Sequence, residues 1–225
     1  MSERAALENV IKQIRRCGFW FVDIPRTSSS SIRVELGKIY GSPYGKMNLI
    51  EKKHSSGQVF QDHIPANIMR ELLLPKVWEE LFTFTLVRNP WDRMVSLYNH
   101  RRKVQGIPEE VSFRKYILEL GKRNWGVAGG LFVYHGHYLG SSDYVCGVDG
   151  KILVKFVGKF ENRSRDIARI AKGVGMQRLG TLAIQKASPP DRHYSLYYDE
   201  DTKNIVGELY ARDVELFNYK FQKTS

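Results

Sequence analysis

Apolar residues recur along this chain in two alternating rhythms, a helical spacing of three to four and short unbroken runs, and the alternation sets out the elements. After Ser2, the positions Leu7, Val10, Ile11 and Ile14 keep helical period, and "FWFVDI" (Phe19–Ile24) follows as a buried strand that Pro25 ends. From Ser29 to Tyr40 the spacing of Ile32, Leu36 and Ile39 is helical again. "PANIMRELLLPKVWEELF" predicts a helix in two pieces broken at Pro75, and "FTFTLV" (Phe82–Val87) a second strand. "RNPWDRMVSLYNHRRK" reads as a helix, with Asn89 suited to the N-cap and Pro90 to the first helical position, where its missing N–H costs nothing. "SFRKYILELGKR" predicts another helix, the glycine-rich stretch Asn124–Gly150 mostly loop, and "KILVKFVG" (Lys151–Gly158) a third strand. "ENRSRDIARIAKGVG" predicts a helix stopped by glycines, and "DEDTKNIVGELYARDVELF" a closing helix.

Strands alternating with helices predict an α/β fold, a parallel sheet flanked by helices, with ligands at the carboxyl ends of the strands. No internal repeat or linker divides the chain, so one domain over residues 1–225 is expected, an N-terminal helix over 1–17 and a core over 18–221. Composition adds a charge to this picture. Lys and Arg number 35 against 24 Asp and Glu, a formal net charge of +11, which draws anionic ligands: phosphorylated cofactors, acidic polysaccharide, nucleic acid. Cys17 and Cys146 have no metal-ligand spacing, so no disulfide framework and no metal site are expected. The N-terminus lacks an apolar core of signal-peptide length and no window approaches the ~20 apolar residues of a membrane span, so a cytoplasmic location is expected.

Four consecutive serines stand where the first strand gives way to a helix, in "VDIPRTSSSSIRVELG". A strand-to-helix turn aims several backbone N–H groups at one point, and the helix dipole favours an anion there. Thr27, Ser28, Ser29, Ser30 and Ser31 add hydroxyl donors, and the Arg26 guanidinium suits phosphate or sulfate; the plain alternative is a serine that caps the helix. Walker A requires G-x-x-x-x-G-K-[ST], and neither the glycines nor the Lys-Ser/Thr pair is here, which disfavours a nucleotide kinase or nucleoside-triphosphate hydrolase. The second strand delivers Arg88 from its tip, with Ser96 eight residues on in the following helix. Two anion sites at strand ends imply a ligand phosphorylated in two places. The alternative is that Asp92 and Arg93 form surface pairs and Ser96 is a small helix residue.

"IPRTSSSSI", followed about sixty residues later by "FTFTLVRNPWDRMVSLY", resembles the sulfotransferases that use 3′-phosphoadenosine 5′-phosphosulfate (PAPS), in particular their carbohydrate-type branch. The similarity runs from Phe19 to Phe221, through "DGKILVKFVGKFEN" and "HYSLYYDEDTKNIVGELYARDVELFNYKF". It implies a P-loop-like nucleotide-binding fold. It implies that Arg26, Thr27, Ser28, Ser29, Ser30 and Ser31 hold the 5′-phosphosulfate, that Arg88 and Ser96 hold the 3′-phosphate, and that the loop with Arg192 and His193 closes over the cofactor. The product would be 3′-phosphoadenosine 5′-phosphate (PAP) and the acceptor a carbohydrate hydroxyl; from the residues themselves, no metal, no nucleic-acid partner and no membrane span are expected. Three features depart from the family pattern. Arg26 stands where a lysine is usual, and arginine cannot hand a proton to the leaving phosphate. Ser28-Ser29 replace an Ala-Gly pair, and a Pro-Gln pair is missing near Gly140 and Ser141.

Transfer to a hydroxyl needs a base within hydrogen-bond reach. Among the histidines His54, His63, His100, His135, His137 and His193, the favoured base is His63, just ahead of a helix, where the resemblance also implies a histidine. His54, beside Lys52 and Lys53, is next, and the alternative for His63 is a capping or surface role. His135 and His137 form an H-x-H pair without a spaced third ligand. Trp125, Phe132, Tyr134, Tyr138 and Tyr144 crowd the glycine-rich region and are read as acceptor-selecting, with ordinary core packing as the alternative. A second function class, a weakly catalytic module that binds polyanions through the same basic cleft, is distinguished by steep salt dependence and indifference to a 3′-phosphate.

Overall fold

In the computed structural model, which describes residues 3–40, 52–53, 59–60, 63–104, 107–122, 135–175 and 192–224, the strands are β1 (Phe19–Phe21), β2 (Lys52–Lys53), β3 (Val59–Phe60), β4 (Phe82–Val87) and β5 (Phe156–Lys159). The helices are α1 (Glu3–Cys17), α2 (Ser29–Tyr40), α3 (Ala66–Leu73), α4 (Pro75–Glu80), α5 (Pro90–Val104), α6 (Phe113–Gly121), α7 (Ser141–Val145), α8 (Arg163–Gly173), α9 (Glu200–Leu209) and α10 (Ala211–Leu216). The chain forms two compact units, Met1–Val87 with Asp143–Gln185, and Arg88–Ser142 with Lys186–Ser225.

The first unit holds a three-stranded parallel sheet in the order β1-β4-β5, with Phe19 level with Phe82 and Phe84 level with Phe156. A middle strand buried on both faces reads as a near-continuous apolar run, and β4 fits that rule apart from two threonines. Both are fully buried and satisfied: the Thr85 hydroxyl donates to the Val22 carbonyl (2.7 Å), and Thr83 Oγ1 accepts from Lys155 N (3.0 Å). Phe84 stacks on Phe21 at 5.2 Å and on Phe82 at 5.7 Å. Burying each such ring contributes about 1.5–3 kcal/mol. Helix α8 packs on β4 and β5, where Gly158 and Gly173 leave room for Leu86 and Phe82.

The second unit is helical. From α5, Trp91, Met94, Val95, Leu97 and Tyr98 form one core with Ile117 and Leu120 of α6 and Val206 of α9. Two arginines of α5 lie inside it: Arg93 donates to the Leu139 carbonyl at 2.6 Å with its guanidinium 5.1 Å from the Tyr210 ring, and Arg101 lies 4.7 Å over Tyr138. Part of the basic composition is therefore internal. Among the described residues, no helix is long and apolar enough to cross a membrane.

The α/β reading with a parallel sheet and flanking helices is what the structure shows, with three local differences. First, β1 and β5 are shorter than the apolar runs that announce them. Ile152 pairs antiparallel with Cys146, so regular pairing with β4 starts at Phe156 rather than Lys151. Second, the closing helix is two helices, because Tyr210 leaves helical backbone (φ −116°, ψ 28°) while its buried hydroxyl donates to the Tyr138 carbonyl at 2.9 Å. Third, the glycine-rich stretch contains α7. Asp213 accepts from Ser141 N (2.6 Å) and Ser142 N (2.8 Å) at its start, a cap supplied 71–72 residues away in sequence. The short antiparallel pairing of β2 with β3 has no counterpart in the apolar pattern.

Candidate active site

Within the first unit the site grows from the exit of β1. Val22 N still bonds the Phe84 carbonyl (2.8 Å), then the chain leaves the sheet and turns over residues 25–28 into α2. Arg26 and Ser28 take left-handed φ values of 67° and 70°. The turn is tied from inside by the fully buried Thr27, whose hydroxyl donates to the Ile24 carbonyl at 2.9 Å. Ser28 is the N-cap position: its carbonyl accepts from Ser31 N (3.1 Å) and Ile32 N (3.4 Å). The first amides of α2 have no carbonyl of their own helix to bond, and its first turn carries no carboxylate.

The hydroxyl run therefore divides. Thr27 and Ser29 face inward, while Ser28 and Ser31 are half-buried and Ser30 is exposed. Arg26 is half-buried at the head of the turn.

Behind the turn lies an ionic cluster. His63 Nδ1 stands 3.0 Å from Asp23 Oδ1 and 3.1 Å from the Asp23 carbonyl oxygen, and Arg33 Nη1 is 3.3 Å from Asp23 Oδ2. Burial opposes charge on Asp23, but hydrogen bonds and charge from His63, the Ser29 hydroxyl and Arg33 outweigh it and hold the carboxyl below its ordinary range. Burial likewise opposes charge on His63, yet its bond to Asp23 raises the imidazole above its ordinary value, against a smaller opposing effect of Arg33. His63 itself has a left-handed φ of 53°, three residues before α3 begins at Ala66. Left-handed backbone at a non-glycine residue costs about 1–3 kcal/mol and persists where its surroundings fix it.

Sequence reasoning singled out His63 and missed Asp23. The available signal was an acid at the end of a buried apolar run, a position where carboxylates are rare unless paired.

In the second unit, the N-cap reading of Asn89 holds: its Oδ1 accepts from Trp91 N (3.1 Å), and its Nδ2 donates to the Lys220 carbonyl (3.0 Å). Arg88 is mostly buried and makes a two-pronged pair with Asp92, Nε to Oδ2 at 2.7 Å and Nη2 to Oδ1 at 2.9 Å. The surface pairing weighed for Asp92 and Arg93 is therefore an Arg88–Asp92 pair, with Arg93 inside the core. Ser96 is half-buried on α5. Arg192 is exposed, its guanidinium 4.1 Å from the Tyr197 ring centre, and His193 Nδ1 lies 2.8 Å from Ser195 Oγ.

Of the proposed acceptor-selecting aromatics, Tyr138 and Tyr144 are fully buried core residues. Burial pushes the Tyr138 hydroxyl up to about 12. Trp125, Phe132, Tyr134 and His54 lie outside the described residues. Among the described residues, no group of three or more His, Cys, Asp or Glu could hold a metal ion.

A parallel sheet flanked by helices, its first strand turning through a hydroxyl-rich loop into a helix N-terminus, defines an α/β protein whose turn is of the kind that suits an anion. The chain matches the sulfotransferase family over residues 14–220 and belongs to it. It is also 28% identical over 126 residues, 56% of its length, to an uncharacterized protein from Archaeoglobus fulgidus, 93% of which is covered. The family's activity is the transfer of sulfuryl groups.

Proposed function

We propose that this chain transfers the sulfuryl group of PAPS to a hydroxyl of a carbohydrate acceptor. The observation that carries the reading is the turn of residues 25–28. Its left-handed residues bring Arg26, the serine hydroxyls and the first amides of α2 into one turn, with His63 paired to Asp23 two residues before that turn. That donor set fits a phosphosulfate.

Arg26 and residues 27–31 would hold the 5′-phosphosulfate, Thr27 through its amide, since its hydroxyl is already donated inside the turn. Arg88 and Ser96 would hold the 3′-phosphate and Arg192 would assist from its exposed loop. Bound there, the donor supplies a sulfuryl group whose S–O bond to the 5′-phosphate breaks, the electron pair staying on the phosphate while the acceptor oxygen bonds sulfur. Arg26 keeps a fixed positive charge at that phosphate but donates no proton to it. His63 takes the proton of the acceptor hydroxyl. A carbohydrate acceptor follows from the resemblance to the carbohydrate-type branch.

The test is calorimetric titration with PAP, with AMP and ATP as controls, in magnesium-free buffer. Micromolar binding, about −8 kcal/mol, that requires the 3′-phosphate is the expected result. PAP binding no tighter than AMP would overturn the reading in favour of a polyanion-binding module, whose affinity falls steeply with salt. A screen with labelled PAPS then asks whether oligosaccharides accept the label.

A further inference from the structure

We propose that Asp23 is the positioning residue for His63, fixing the proton on Nδ1 so that Nε2 is the nitrogen that exchanges protons. The inference rests on reading His63 as the base and extends it to a residue outside the serine loop and the Arg88 motif.

The geometry constrains the tautomer. Nδ1 of His63 lies within hydrogen-bond distance of two Asp23 oxygens, the carbonyl at 3.1 Å and Oδ1 at 3.0 Å. A backbone carbonyl can only accept, so the bond to it requires a hydrogen on Nδ1, and the ionised carboxylate 3.0 Å away favours that hydrogen electrostatically. The neutral imidazole then holds its lone pair on Nε2. Asp23 is itself held from a further side by Arg33, whose Nη1 lies 3.3 Å from Oδ2. Its backbone is fixed one residue before by the bond from Thr85 to the Val22 carbonyl. The Asp23 side chain is 7% exposed, so water does not compete freely for the ring.

Asp23 and Arg33 both act on His63, the first favouring the imidazolium and the second opposing it. The proton leaves the acceptor hydroxyl for Nε2, the resulting imidazolium is stabilised by the Asp23 carboxylate, and the proton then passes to water. Arg33 gives the arrangement a second consequence: it lies on α2, so the carboxylate that faces the ring also pairs with the helix whose start would hold the anion.

The first test needs neither cofactor nor acceptor. In nitrogen-15 spectra of the imidazoles, the His63 signal is identified by its loss in His63→Gln. Wild-type His63 is expected as the Nδ1–H tautomer when neutral, titrating above an ordinary histidine; an Nε2–H tautomer overturns the proposal without any Asp23 variant. In Asp23→Asn the titration midpoint is expected to fall, and an unchanged midpoint overturns it too.

The second test follows PAP release from PAPS with water as acceptor. Asp23→Asn should lower kcat by about a hundredfold or more with KM for PAPS little changed, and should move the acidic limb of the pH profile down. Asp23→Glu should recover part of kcat. A loss confined to KM, with the limb unmoved, would mean that Asp23 merely shapes the loop. Failure of PAP to bind would sink the sulfuryl-transfer reading while leaving the tautomer result standing, so the two failures are told apart.

Discussion

Arg26 and Ser28 stand at φ 67° and 70°, where the Cβ of any L-residue crowds its own backbone, and two such residues two apart bend the chain sharply enough to start α2 where β1 leaves off. Glycine would adopt either angle freely. Ser28→Gly should therefore relieve strain, offset in part by the greater freedom glycine gives the unfolded chain, for a net gain of about 0.5–1 kcal/mol. A raised urea midpoint with an unchanged slope is the expected reading, and a lowered one would mean that the Ser28 hydroxyl stabilises the turn by more than the strain costs. Arg88 carries a separate prediction. Its guanidinium is already oriented by both oxygens of Asp92, and charge-assisted hydrogen bonds contribute about 1.5–3 kcal/mol each. Arg88→Ala should weaken PAP binding about ten- to a hundredfold while leaving AMP binding nearly unchanged. Equal losses for both nucleotides, measured by calorimetry, would refute its role at the 3′-phosphate.

At the level of elements, the sheet is tight enough against α8 that single atoms count. A Cβ on Gly158 would lie 2.5 Å from Leu86 Cδ2 and 3.0 Å from Asp166 Cβ. Asp166 cannot retreat without loss, because it accepts from Lys159 N at 2.8 Å. Gly158→Ala is expected to destabilise by about 1–3 kcal/mol, read as a lower midpoint in urea; an unchanged midpoint would show that β5 and α8 can separate at little cost. The same packing explains what the sequence made legible. Central strand β4, helices α2 and α5 and the break at Pro75 were readable because each depends on local apolar period, proline or a cap. The ends of β5, the start of α7 and the break at Tyr210 were not, since each is decided by a partner distant in sequence: Thr83 for Lys155, Asp213 for Ser141, Tyr138 for Tyr210. The candidate site divides along the same line. The serine loop, Arg88 and His63 stand out by residue type and spacing, whereas Asp23 meets His63 across 40 residues of chain, a pairing no local pattern carries. Burial also decides which hydroxyls of the loop remain available, and that depends on the fold around Thr27 and Ser29.

For the molecule as a whole, two electrostatic effects oppose each other as pH changes. The chain carries a formal charge of +11 with its six histidines neutral, so acidification below neutrality adds like charge and destabilises the folded state through self-repulsion. The Asp23–His63 pair acts in the other direction. A histidine whose folded pKa is raised contributes stability that is complete below its unfolded value, about 6.5, and is lost as pH rises through the folded value. An aspartate whose folded pKa is lowered contributes above its unfolded value, about 3.9, and loses that contribution as pH falls through the folded one. The pair therefore contributes fully between about pH 4 and 6.5. It is 17% and 7% exposed, so salt screens it far less than it screens the charges spread over the surface. The local effect should win at moderate ionic strength: the urea midpoint is expected to rise as pH is lowered from about 8.5 to 6.5, and this rise should vanish or reverse in His63→Gln. Midpoints falling in parallel in both proteins over that interval would mean that net charge, and not the buried pair, governs the pH dependence of folding.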